Sequence, residues 1–230
     1  KIKNAKMIFE IRDIWPELPI AIGALKSKLV ISLAKWLEKI TYNYSDHIIC
    51  LSPGMKDVLI SKISNDKITI VTNLCDISRF KSRKENREIQ IPISKDNPLI
   101  LYAGSFGKIN RVIYLVEIAN VMKNINPELQ FLLVGNGYEK KMILNKSEKY
   151  GILNKTLYCL DYLSKDELPS LLSRATIISS LFINIPEMEN NSANKFFDGL
   201  AAGKPIMINY GGWQSDLLNK TGSGFTIPSN

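Results

Sequence analysis

Apolar runs of strand length alternate along this chain with stretches of helical period, and that alternation restricts the fold more than any other feature. Strand and helix in repeated succession is the pattern of βαβ units, whose crossover helices cover the faces of a parallel sheet. Residues 6–11 read as a buried strand, and 47–51, 68–71, 98–103, 129–134, 156–160, 176–180 and 206–209 read as further strands. Residues 25–42, 164–174 and 193–202 read as helices between them. On a wheel of about 100° per residue, Leu29, Leu33, Trp36, Leu37 and Ile40 share one face of the first helix. Lys28, Ser32, Lys35 and Lys39 share the other. From 81 to 97 the composition turns to Lys, Arg, Glu, Asn and Pro without a period, which marks a linker. The expected fold is therefore α/β, with two Rossmann-like domains over residues 1–95 and 96–230, the first of them incomplete.

Strand-to-helix turns place glycines where a backbone must approach a ligand, and helix N-termini where anions bind. Gly104-Ser105-Phe106-Gly107-Lys108 is such a turn, with Arg111 supplying a second cation. Gly135-Asn136-Gly137 is another. Each is equally explained as a sterically required bend with solvated charges around it. The most informative segment starts at Ser192, a good N-cap, and puts Asn194 and Lys195 in the first turn of a helix. Asp198 follows three residues after Lys195 on a neighbouring position of the same face. A lysine beside a helix N-terminus opposes the helix dipole unless an anion sits there. A carboxylate one turn deeper suits the vicinal hydroxyls of a ribose. The plain alternative is a Lys195–Asp198 ion pair on a solvated face.

Charge and composition narrow the partners. The net charge is +8, and residues 1–97 hold 17 Lys/Arg against 11 Asp/Glu, leaving +6 in that part and +2 in the rest. A basic surface serves nucleic acid, anionic lipid or phosphorylated ligands. No zinc finger or aromatic-flanked RNA-binding motif accompanies it, so nucleic acid is the least supported of the three. Three widely spaced cysteines and a single histidine, His47, make no metal site, and none is expected. Reduced thiols suit a cytoplasmic protein. No apolar run reaches the length of a membrane span. The chain opens at Lys1 without a methionine and stops in a turn-like Pro228-Ser229-Asn230, which reads as a piece of something longer.

Taken in order, the motifs resemble one family. The glycine turn at 104–107, the run Leu132-Leu133-Val134-Gly135-Asn136-Gly137 and the segment Asn194-Lys195-Phe196-Phe197-Asp198-Gly199-Leu200-Ala201-Ala202-Gly203-Lys204-Pro205 resemble the C-terminal domain of bacterial glycosyltransferases of family four. Ile11-Arg12-Asp13-Ile14-Trp15-Pro16, Ser45 to Met55, and Val71-Thr72-Asn73-Leu74-Cys75-Asp76 resemble the second half of their N-terminal domain. The branch most similar is that of O-antigen and capsule sugar transferases, such as N-acetylfucosamine transferases. The resemblance covers essentially the whole chain and keeps its order, with the N- and C-terminal ends of such enzymes missing.

What the resemblance implies is a GT-B fold and metal-independent, retaining transfer from a nucleoside-diphosphate sugar, a UDP- or GDP-sugar, with no other cofactor. Cations and helix dipoles then stabilise the departing diphosphate. The acceptor implied is a glycan or a polyprenyl-linked sugar, handled in the cytoplasm or peripherally at an anionic membrane surface on the inner face of the plasma membrane. Carried over residue by residue, Asp198 contacts the ribose. The family's other glutamate falls on Asn190, its arginine on Ser105 and its lysine near Asn110, with Lys108 or Arg111 in compensation. Arg12 falls where relatives often have a histidine near the reacting sugar. These departures leave room for a non-catalytic nucleotide-sugar-binding module, and a sugar-nucleotide epimerase shares the architecture.

Overall fold

A computed structural model of the chain describes residues 5–81 and 91–229. Residues 82–90, which hold most of the expected linker, lie outside the described residues. Backbone contacts divide the chain into two compact units. The first comprises residues 1–73, 185–192 and 211–214, and the second comprises 74–184, 193–210 and 215–230. The chain therefore leaves the first unit at Asn73, ahead of the change in composition, and returns to it twice.

The first unit is built on a parallel sheet of β1 (Ile8–Ile11), β2 (His47–Cys50) and β3 (Ile68–Ile70), with β2 in the middle. Between β1 and β2 come the short helix α1 (Glu17–Ala21) and the long α2 (Lys28–Tyr44); α3 (Pro53–Leu59) leads on to β3. Ser52 caps α3, its Oγ accepting from the Met55 amide at 3.1 Å. Ile11, Ile14, Tyr42, Ile48, Cys50, Met55, Leu59 and Ile68 form the core of this unit. The wheel gave α2 an apolar face, and the structure turns that face outward. Ala34, Glu38 and Tyr42 are its buried residues, whereas Leu29, Leu33, Trp36 and Leu37 are exposed. Tyr42 reaches Phe9 of β1, so its ring supplies the packing that leucines were expected to give.

The second unit opens with α4 (Ile77–Lys81) and continues through β4 (Leu99–Ala103), α5 (Ile113–Ile125), β5 (Gln130–Val134), α6 (Lys140–Lys149) and β6 (Leu157–Leu160). Then follow α7 (Leu168–Arg174), β7 (Ile177–Ser180), α8 (Asn194–Ala201), β8 (Ile206–Ile208), α9 (Trp213–Thr221), whose first two residues belong to the first unit, and β9 (Gly224–Thr226). All six strands are parallel, in the order β6-β5-β4-β7-β8-β9. The chain runs outward from β4 on one side and then restarts at β7 on the other. This is the doubly wound arrangement, whose ligand crevice lies where the order reverses, at the carboxyl ends of β4 and β7. Near-continuous apolar strands such as Leu99–Tyr102 and Phe131–Val134 are buried from end to end, as a sheet covered on both faces requires.

Candidate functional site

Two glycine turns stand at the carboxyl ends of β4 and β5, and they lock into each other. The Phe106 amide donates to the Asn136 carbonyl and the Glu139 amide to the Phe106 carbonyl, each at 2.9 Å. A Cβ on Gly135 would lie 1.9 Å from the Gly104 carbonyl oxygen, and one on Gly137 would lie 2.5 Å from that of Phe106. Gly135 and Gly137 are thus required by backbone meeting backbone. Tyr162 closes the arrangement, its hydroxyl donating to the Asn136 carbonyl at 2.8 Å and lying 3.4 Å from Ser105 Oγ. Ser105 and Lys108 themselves are exposed, while Arg111 takes a left-handed backbone at φ 45° and joins a short 3-10 turn, Lys108–Asn110, to α5.

Lys195 occupies the first turn of α8, across the reversal of strand order. Its ammonium donates to Asn110 Oδ1 at 2.9 Å and to the Tyr102 hydroxyl at 3.2 Å. It also stands 4.6 Å from the ring centre of Tyr102 and 5.0 Å from that of Phe182. Tyr102 comes from β4, Phe182 from just past β7 and Asn110 from the turn after β4, so one cation gathers both sides of the crevice. No carboxylate pairs with it among the described residues. Loss of water around the ammonium, uncompensated by any negative partner, brings Lys195 down to about 7.

Asp198 goes elsewhere. Its Oδ1 accepts the Cys75 thiol at 3.0 Å, and burial together with that carboxylate pushes the thiol up to about 12. The surface ion pair between Lys195 and Asp198, open from their spacing, does not form. Ser192 is not the cap either: α8 begins after Ala193, and no side chain caps it. Asn194 is exposed at its first position. A polar strip extends along the β5 and β6 ends, where Asp161 accepts from Asn136 Nδ2 at 3.0 Å and from Lys140 Nζ at 2.5 Å.

The remaining candidates belong to the first unit. Asn190 ends a 3-10 segment, Pro186–Asn190; its carbonyl accepts the Ser52 hydroxyl at 2.6 Å, and its side chain fills the space beside Gly54. Glu189 is packed in the same way, with Gly211 and Gly212 closing on it. Trp213 Nε1 donates to the Asn191 carbonyl at 2.9 Å. Arg12 is paired through Nε with Glu10 at 3.8 Å, not with its neighbour Asp13. It lines a cavity of about 250 Å³ with Trp15, Leu37 and Tyr42. His47 Nε2 lies 2.8 Å from Thr69 Oγ1, linking two strands at their starts. Among the described residues no three His, Cys, Asp or Glu side chains come together to hold a metal.

A parallel sheet that reverses its strand order between β4 and β7, with glycine turns at the carboxyl ends of β4 and β5, defines a Rossmann-like α/β class of domain. Residues 82–230, more than half of the chain, match the family described as glycosyl transferases group 1. The chain belongs to that family. A search of curated proteins finds no match. Among solved structures, HepE of Anabaena in complex with UDP is similar at 14% identity with a TM-score of 0.75, covering 100% of this chain and 60% of its own. Sucrose-phosphate synthase of Thermosynechococcus elongatus is similar at 16% identity with a TM-score of 0.74, over 98% of this chain and 55% of its own. WaaG, a glycosyltransferase involved in lipopolysaccharide biosynthesis, follows at 15% and 0.71, over 97% and 62%. At such identities the likeness is one of fold. This chain spans about 60% of the length of HepE.

Proposed function

We propose that this chain is the donor-binding and part of the acceptor-binding portion of a retaining glycosyltransferase that takes its sugar from a nucleoside-diphosphate sugar. The unpaired Lys195 at the start of α8 is the observation that carries the reading. A cation desolvated between two rings, with only an amide and a phenol as partners, is costly unless an anion completes the site. The diphosphate supplies that anion, and the α8 dipole reinforces its attraction. Asp198 keeps lone pairs beyond the one taken by Cys75, and it receives the ribose hydroxyls. Ser105 and the Gly104–Gly107 turn approach the diphosphate from the β4 side, with Lys108 and Arg111 at its rim. Transfer then relies on preorganised positive charge to stabilise the leaving diphosphate. Holding the donor in this way requires no divalent ion.

Support for a nucleotide-sugar donor comes from the family and from a similar fold that binds UDP in HepE. The acceptor we assign is a membrane-linked glycan or lipid in surface polysaccharide synthesis, in keeping with the similar fold of WaaG. Asn190 as an amide, packed against Gly54, keeps a second reading in view: a module that binds the nucleotide sugar without turning it over. Calorimetric titration with UDP and GDP, followed by turnover assays with donor alone and donor plus acceptor, separates the two. Heat with either nucleotide and turnover that survives chelation support the transferase. No heat at millimolar nucleotide contradicts the donor site itself.

A further inference from the structure

The ladder between β7 and β8 ends at Ser180 and Ile208, yet the two segments stay joined beyond it. Asn209, only 1% exposed, joins them with its side chain. Its Oδ1 accepts the Phe182 amide and its Nδ2 donates to the Phe182 carbonyl, each at 2.8 Å. One side-chain amide thus stands in for the peptide group of a neighbouring strand and satisfies both backbone groups of Phe182. The next amide along, that of Ile183, donates to the Ile109 carbonyl at 2.9 Å, which ties the same segment to the Lys108–Asn110 turn. The Phe182 ring rests on Tyr210, with ring centres 5.2 Å apart, and the Tyr210 hydroxyl lies 3.1 Å from Ser180 Oγ. All of these residues belong to the second unit.

The bonds converge on Lys195. Phe182 presents its ring to the ammonium at 5.0 Å, and Asn110, carried by the turn that Ile183 holds, accepts from it at 2.9 Å. A lysine has many rotamers, and an anion that must first order the side chain loses affinity to that ordering. An ammonium already held between a ring and an amide, with little water left to shed, attracts the anion more strongly. We infer, resting on the diphosphate role proposed for Lys195, that Asn209 is a positioning residue of the donor site. By fixing the Phe182 backbone it holds the ring and the turn that aim Lys195 at the diphosphate. The plainer role is to satisfy two buried backbone groups where the ladder ends, and Asn209 would do that whether or not Lys195 binds anything. Asp198 stands outside this chain of bonds, since its partner is Cys75.

The test is calorimetric titration with UDP and GDP, and with uridine and guanosine. It compares wild type, Asn209→Ala, Phe182→Leu and Lys195→Met, and each of the first two variants combined with Lys195→Met. Asn209→Ala should weaken diphosphate binding about fivefold and leave nucleoside binding unchanged, because only the phosphate cation is loosened. Phe182→Leu keeps the backbone groups that Asn209 bonds and should give the same split, which decides the matter if Asn209→Ala fails to fold. In the Lys195→Met background neither substitution should change diphosphate affinity further, because the group they act through is gone. Wild-type diphosphate affinity in a folded Asn209→Ala or in Phe182→Leu, beside a weakened Lys195→Met, overturns this inference alone. So does an equal loss for nucleoside and diphosphate, or a loss that persists without Lys195, since each marks a purely structural role. Wild-type diphosphate affinity in Lys195→Met overturns the proposed donor cation and this inference with it.

Discussion

Two lysines, one in each unit, differ in how their charge is met: Lys62 by two carboxylates, Lys195 by none among the described residues. Lys62 of the first unit donates to Glu17 at 2.5 Å and to Glu38 at 2.7 Å, with the Glu38 side chain only 8% exposed. Burial pulls its proton affinity down, but the two carboxylates outweigh that and raise it. Lys195 of the second unit has burial without the carboxylates, and its proton affinity falls. Desolvation is common to both; only the partners differ. A lysine with its charge already matched holds a fold together, whereas one left unmatched beside a helix N-terminus invites an anion.

Removing each lysine should therefore give opposite results. Lys62→Met leaves Glu17 and Glu38 facing each other without a cation, and should lower stability by about 3 kcal/mol, the low end for a broken buried pair because the site is partly open. Chemical denaturation measures it. A loss below about 1 kcal/mol would reduce Lys62 to an ordinary surface cation. Asp198→Ala comes next: about 1.5–3 kcal/mol of affinity lost, equally for a nucleoside and its diphosphate, because the ribose is common to both. Affinity unchanged for both ligands would remove Asp198 from the site.

The pH dependence sharpens the contrast. Lys195 titrates near 10.5 in the unfolded chain and at about 7 when folded. Between those values the unfolded state holds the extra proton, so this group makes stability rise with pH across that window and contributes no slope below it. Lys195→Met should flatten the rise. Diphosphate binding needs the ammonium and should take up a proton near pH 8, so affinity should fall as pH climbs past 7. Calorimetry in buffers of different ionisation enthalpy reads the uptake directly, and its absence would mean that Lys195 is charged before the ligand arrives. The smallest effect expected is kinetic: with its thiol pushed up to about 12, Cys75 should react with iodoacetamide far more slowly than a free thiol.

The strand–helix alternation carried β1 to β8; the unbroken apolar runs of β4, β5 and β8 are what parallel strands covered on both faces need, whereas β1, expected to be buried, leaves Ile8 64% exposed. It missed β9, whose three residues have no period and whose position depends on Gly224 passing close to Ile206. It also missed α1 and α4, each of five residues. For α2 the period was right and the face was wrong: a hydrophobic stripe marks where leucines are, not which side the sheet takes. At the site, helix position alone singled out Lys195 and Asp198. Their partners Tyr102, Asn110, Phe182 and Cys75 were not legible as partners, since those contacts arise only when β4, β7 and the loop at Cys75 are brought together by the second unit's sheet.

Lys195 is assigned here as a diphosphate-binding cation and not a structural one. It is tested most directly by titrating wild type and Lys195→Met with UDP, GDP and the corresponding nucleosides at low salt. The variant should keep its fold and its nucleoside affinity while diphosphate affinity falls by about 1.5–3 kcal/mol, a loss that shrinks at high salt in proportion to the site's exposure. Equal diphosphate affinity in the two proteins, or a variant that loses stability instead of affinity, would contradict it.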